Sequence, residues 1–179
     1  MATWTIDPMH SEIQFKAKHM VISTVTGSFL DFSGKMETKS EDKSNFENST
    51  ISFEAQVDSI DTGVEQRDEH LRSADFFDAE KYPTISFKSI SFEKNDSDDS
   101  FNMEGNLTIK GITKPISLKV NYGGTAVDMY GQTKIGFELQ GKVNRQEFGL
   151  VWSVTTEEGA VIVSDDIKLV AELQLAKQE

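Results

Sequence analysis

Cysteine is absent from the chain, which removes disulfides, thiol nucleophiles and cysteine-held zinc or iron–sulfur centres together. Arginine and histidine are nearly absent: Arg67, Arg72 and Arg145, and His10, His19 and His70, are all there are. A site that needs a base or a fixed cation must draw on these six or on lysines. His10-Ser11-Glu12 offers the parts of a catalytic triad, but neighbours along a strand point to opposite faces and form no relay by themselves. His10 and His19 flank one segment without HExxH or comparable spacing, so no metal site is indicated. Basic charge is also short. Thirty acidic residues stand against eighteen basic ones, a net charge of −12, which repels phosphate backbones and excludes nucleic acid as an expected partner. Nowhere do about eighteen apolar residues run together, as a membrane-spanning helix requires. The opening MATWTIDPMHSEIQF has no basic region followed by an apolar run. The expectation is a chain without membrane span or signal peptide, cytoplasmic as given, or periplasmic if it is the mature form of a longer protein.

What is there is alternation. The 179 residues suit one domain, 1–179, large enough to bury a core without staples. From Glu12 to Val21, Ile13, Phe15 and Ala17 alternate with polar residues, the period-two pattern of a half-buried strand. Gly27 to Thr38 places Leu30, Phe32, Gly34 and Met36 on one face, and Ser49 to Ile60 does the same with Ile51, Phe53, Ala55 and Val57. Thr84 to Lys94 resumes the pattern, but Ile85 and Phe87 are out of phase with Ile90 and Phe92, which predicts a bulge near Ser89. Phe101 to Ile109 turns Phe101, Met103, Leu107 and Ile109 inward. After a turn at Gly111 to Pro115, Ile116, Leu118, Val120 and Tyr122 mark another strand. Ile135, Phe137, Leu139 and Val143 mark the next, over Thr133 to Val143, and a last strand spans about Val161 to Leu175. The acidic tip Asp96, Asp98, Asp99 fails as an EF-hand, whose sixth and twelfth positions would be Phe101 and Leu107, and reads as a solvated hairpin loop. Eight long antiparallel strands with one apolar face predict an all-β fold, an extended up-and-down barrel whose interior holds side chains or one small ligand. A two-sheet sandwich with a solid core is the alternative.

One stretch, Thr62 to Pro83, does not alternate. Thr62-Gly63-Val64-Glu65 has capping-box spacing and predicts a short helical segment around residues 63–80. Its face would be Val64, Leu71 and Ala74, with Arg67, Asp68, Glu69, His70 and Arg72 as the solvated side, Asp68 pairing with Arg72, Phe76 and Phe77 following, and Tyr82-Pro83 closing it. Lying between the third and fourth strands, it is placed to lid one end of the barrel.

Four segments resemble the YceI-like family of lipid- or polyisoprenoid-binding proteins: WTIDPMHSEIQFKAKHMVISTVTGSF (4–29), DEHLRSADFFDAEKYPTISF (68–87), GNLTIKGITKPISLKV (105–120) and KVNRQEFGLVW (142–152). The resemblance implies a lipocalin-like eight-stranded barrel holding a long amphipathic molecule such as a polyprenyl diphosphate, a quinone or a fatty-acid derivative. It also implies no catalytic residue, no metal and no cofactor other than such a lipid, and it suggests a homodimer. The expected pore lining combines the inward residues Phe15, Ala17, Phe32, Phe53, Ala55 and Val57 with Phe87, Leu107, Ile109, Leu118, Val120, Phe137 and Leu139. Phe76, Phe77, Phe148 and Trp152 complete it, and His19, Arg72 and Arg145 are the candidates to meet a head group. A barrel filled by its own side chains, acting as a structural or interaction module, is the competing reading.

Overall fold

The computed structural model describes residues 1–20, 22–40, 45–95, 100–153 and 163–179. The acidic tip at Asp96, Asp98 and Asp99, Val21 at the end of the first expected strand and Val161 at the start of the last lie outside these. Among the described residues the strands are β1 (Ala2–Ile6), β2 (Glu12–His19), β3 (Ser23–Phe29), β4 (Phe32–Thr38), β5 (Thr50–Gln56), β6 (Ile60–Asp61), β7 (Thr84–Lys94), β8 (Ser100–Ile109), β9 (Ile112–Val127), β10 (Thr133–Asn144) and β11 (Asp166–Lys177). The helix α1 covers Glu65–Arg72.

These form eight lines of a closed antiparallel barrel, because the first three lines are each broken in two. β1 and β2 run end to end along β11, with Trp4 opposite Lys177 and Lys16 opposite Lys168. β3 pairs with β2 while β4 pairs with β1, and β5 pairs with β4 while β6 pairs with β3. From β7 the order follows the chain to β11, which meets β1 and closes the sheet. The interior of every line is apolar and the outside polar, as the period-two pattern demands; β8 alternates buried and exposed residues almost without fault.

Several expectations are corrected. β1 was not foreseen, although Trp4 is among the most buried residues. The expected strand Gly27 to Thr38 begins at Ser23 and breaks at Leu30-Asp31, where Leu30 is 64% exposed instead of inward. The break lets Leu30 N–H donate to Ser59 O and lets Asp31 O accept from Gln56 N–H, so the bend is tied to a matching break in the next line. That line ends as a strand at Gln56 and passes through a 3-10 turn, Val57–Ser59. The chain turns at Lys110-Gly111, both with positive φ, and β9 starts at Ile112, so Pro115 sits inside a strand opposite Asn106. The bulge in β7 lies between Ser89 and Ser91 as expected, and the Ser89 hydroxyl accepts from Ile51 N–H at 2.8 Å. Phe92 turns inward there, whereas Ile90 is expelled to 66% exposure.

The helix differs most. Its N-cap is Val64, which makes no side-chain cap, and Val64 and Ala74 are exposed, leaving Leu71 as the packed residue of the expected face. Thr62 does not cap α1 in the expected way. Its N–H and hydroxyl donate to the buried carboxylate of Asp68 at 2.8 and 2.5 Å, and it accepts from Arg67 Nε at 2.7 Å. Arg72 therefore pairs with Glu65 at 2.8 Å and not with Asp68.

Candidate functional site

The barrel interior changes character along its length. At one end Phe46, from the loop before β5, is 1% exposed and sits among Phe101, Tyr122 and Phe137 with ring centroids 5.1–6.2 Å away. Phe92 stacks on Phe101 at 4.9 Å. Edge and tilted contacts of this kind fill space without voids and seal that end. Phe137, expected to line the pore, belongs to this plug. Phe32, Val57 and Val120 are likewise buried in the core without lining a cavity.

Beyond the plug the interior is open in two chambers. The inner one, about 130 Å³, is walled by Phe53, Ala55, Phe87, Leu107, Leu118 and Leu139 among others. The outer one, about 280 Å³, is walled by Phe15, Ala17, Phe76, Phe77, Ile109, Phe148 and Trp152 among others. Phe29 and Ile85 line both and form the partition. Phe29 leans on Phe15 at 5.7 Å and meets Phe77 edge-on at 6.2 Å. Glycines opposite aromatic rings let the walls form. Gly27 pairs with Phe15, and a Cβ there would stand 2.2 Å from the Phe15 ring.

The polar groups gather at the outer end, where α1, the β2–β3 hairpin and the segment after the 3-10 turn Arg145–Phe148 come together. Lys18, His19, Arg67, His70 and Arg145 line the outer chamber, and among the described residues no Asp, Glu, Ser or Thr does. Lys18 is exposed, and its ammonium donates to the Thr24 hydroxyl at 3.1 Å in a cleft on the outer wall. Of the expected head-group residues, His19 takes its place in this lining. Arg72 does not; its guanidinium is turned outward to Glu65. Arg145 lines the chamber, but its donors are taken up by backbone carbonyls: Leu150 at 2.5 Å, Trp152 at 2.8 Å, Ser164 at 2.9 Å and Val163 at 3.4 Å, with Asp165 at 3.4 Å. Burial lowers its pKa from the ordinary arginine value, and Asp165 offsets part of that. It is a buried clamp holding the chain on both sides of residues 154–162.

Arg67 and His70 were read from sequence as a solvated face, yet both face the chamber. With Leu71 they keep the i, i+3, i+4 spacing of one helix side, the signal that could have found them. Arg67 donates to Thr62 O and Oγ1, both at 2.7 Å, and has no carboxylate within 4.0 Å among the described residues. His70 bonds Asp75 at 2.9 Å and packs edge-on against Phe76 and Trp152. His10 is elsewhere, on the outer wall with Asp7. Among the described residues no three His, Asp or Glu side chains cluster as metal ligands would.

A small antiparallel barrel, plugged at one end and enclosing an apolar, cation-rimmed cavity at the other, defines the class. Residues 4–175 match the YceI-like domain, and the chain belongs to that family. Protein YceI of Salmonella newport is 32% identical over 170 residues, covering 95% of this chain and 83% of that protein. The crystal structure of a Campylobacter jejuni YceI protein superposes with a TM-score of 0.76 at 36% identity, covering 90% of each chain. A polyisoprenoid binding domain from Saccharophagus degradans shares the fold, with a TM-score of 0.66 at 13% identity over 98% of each chain.

Proposed function

We propose that this protein binds and carries, without transforming it, a long-chain amphipathic lipid of the isoprenoid class. The chain would lie in the barrel and the head group at the outer end. The observation that carries the reading is the outer chamber itself: aromatic and aliphatic walls interrupted only by a rim of Lys18, His19, Arg67, His70 and Arg145. An apolar cleft with a few convergent polar groups is the usual form of a small-molecule site. The fold shared with a domain whose name records polyisoprenoid binding supports it. Arg67, whose guanidinium meets Thr62 and no carboxylate among the described residues, favours an anionic head, such as a prenyl diphosphate, over a neutral quinone. At about 280 Å³ the outer chamber lies at the lower edge of ordinary ligand sites, so a long chain must reach the inner chamber by displacing Phe29. Burying about fifteen carbons at about 0.8 kcal/mol each gives roughly 12 kcal/mol before an association cost of about 4–15 kcal/mol, so affinity depends on the preformed chamber.

Native mass spectrometry of freshly purified protein tests this: a co-purified prenyl lipid is the expected result. Protein free of lipid that also rejects prenyl diphosphates, quinones and fatty acids would favour the second reading, a barrel that serves as a structural module. The partition at Phe29 and Ile85, which interrupts the void, is what favours that alternative.

A further inference from the structure

The outer wall of β10, β11 and β2 carries an arrangement that neither the fold nor lipid binding requires. Lys142 stands directly opposite Lys168, and Lys168 directly opposite Lys16, so three ammonium groups form a row across three strands. Four residues along the same strands, about 13 Å away, Glu138, Glu172 and Glu12 form a row of carboxylates in the same register. Like charges directly across a ladder destabilise a sheet, so neither row serves folding. The lysine row lines an open cleft on the wall, with Asp166 its one acidic member among the described residues, bonded to Lys142 at 3.2 Å.

The lysines lie toward the open end of the barrel and the glutamates toward the plug. β2 continues from Lys16 past Lys18 to a hairpin tip at the rim of the chamber. There Ile22 is 83% exposed and Met20 is 38% exposed with φ +54°, two large apolar residues where turn chemistry favours Asn or Gly. Val151, beside the chamber residue Trp152, and Val64, at the start of α1, add exposed apolar groups around the same opening.

We propose that this end of the barrel docks on an anionic phospholipid surface. The β2–β3 tip enters the headgroup boundary, the lysine row lies against the phosphates, and the chamber opens toward the bilayer. Apolar tips and basic flanks are the two elements of interfacial binding. A second copy could set lysine row against glutamate row, but it would gain only exposed ion pairs, each weak, and would leave the tip unused. Docking stands on the rows and the tip; its use for lipid exchange rests on the proposed function.

Flotation of the full chain with vesicles of phosphatidylglycerol and phosphatidylcholine tests it, with phosphatidylcholine alone as reference. Binding is expected on the anionic vesicles, weakening with salt. Changing Lys16, Lys142 and Lys168 together to Gln is expected to lower it about a hundredfold, and Ile22→Ser to lower it severalfold. Both variants should keep the wild-type circular dichroism and, in solution, wild-type affinity for a short prenyl diphosphate. Equal binding to both vesicle types, no binding, or unchanged binding in the triple variant would overturn docking. So would a triple variant whose only change is loss of a dimer in analytical ultracentrifugation. Loss of prenyl binding in the wild type with vesicle docking intact would instead remove the proposed function and leave docking standing.

Discussion

The two ends of this barrel are built from the same alternating strands and do opposite things with them. At the plugged end Phe46, Phe92, Phe101, Tyr122 and Phe137 meet ring to ring and leave no room. At the open end Phe15, Phe76, Phe77, Phe148 and Trp152 stand around about 280 Å³ of space. Apolar content does not distinguish them; the framework around the rings does. The plug lies where β7 to β10 pair in chain order, with bulges at Ser89/Ser91 and Gly136/Phe137, and a loop residue drops between them. The chamber lies where β6 leaves the wall, pairs only with β3 and hands the chain to α1, so the barrel is covered there by a helix and a clamped segment. On the proposed function, stability is concentrated at one end and binding at the other.

Substitutions should separate the two. The largest effect is expected for Phe46→Ala: a fall of about 3–5 kcal/mol in urea unfolding, because a fully buried ring leaves a void among rings that cannot collapse, with prenyl affinity of the folded protein little changed. Next is Arg145→Met, which leaves the carbonyls of Leu150, Trp152 and Ser164 without their donor and should cost about 1–3 kcal/mol; protease cleavage near residue 150 should rise with it. Ala17→Phe should do the reverse of Phe46→Ala. It fills the outer chamber, so affinity for a prenyl diphosphate, measured by calorimetry, should drop about tenfold while stability changes by about 1 kcal/mol. A Phe46 variant that loses affinity while the Ala17 variant keeps it would break the division.

The smallest effect concerns Asp7, which joins the turn after β1 to β10. Burial pushes its pKa up, but bonds from His10, Lys134 and the Met9 amide outweigh this and hold it below the ordinary carboxylate value. A carboxyl depressed in the folded state contributes stability above its unfolded pKa, near 3.9, and loses it as pH falls through the folded value. The stability difference between wild type and Asp7→Asn should thus be full near neutrality and shrink below about pH 4. A difference independent of pH would mean that the carboxylate's charge is not what counts.

The barrel was legible because alternation is a local signal: Ile51, Phe53 and Ala55, or Met103, Leu107 and Ile109, declare their face two residues at a time. The Ser89 bulge was legible as a slip in that phase. The strand breaks were not, because Leu30-Asp31 and Val57–Ser59 bend to satisfy each other across neighbouring lines and neither bend has a signature of its own. Thr62 misled for a related reason. Its hydroxyl had a better partner in Asp68, a contact that no capping pattern encodes. Phe46 lay in a loop, and only the fold drops it into the plug. For the site, the lining of Phe15, Ala17 and Trp152 followed from alternation and the family resemblance. Of the rim, only the place of His19 was as expected, since Arg145 became a clamp, Arg72 faced outward, and Arg67 and His70 turned inward. The opposed lysine and glutamate rows exist only in the register and cannot be seen along a single strand.

The most direct measurement uses the chain's two tryptophans, only one of which faces the chamber. Trp4 is buried in the wall, and Trp152 lines the outer chamber. In Trp4→Phe protein, Trp152 alone reports. Titration with a prenyl diphosphate is expected to shift its emission to the blue and saturate, as the chain displaces water from around the indole. Saturable binding seen by calorimetry with Trp152 emission unchanged, or no binding at all, would contradict the claim that the outer chamber receives the lipid.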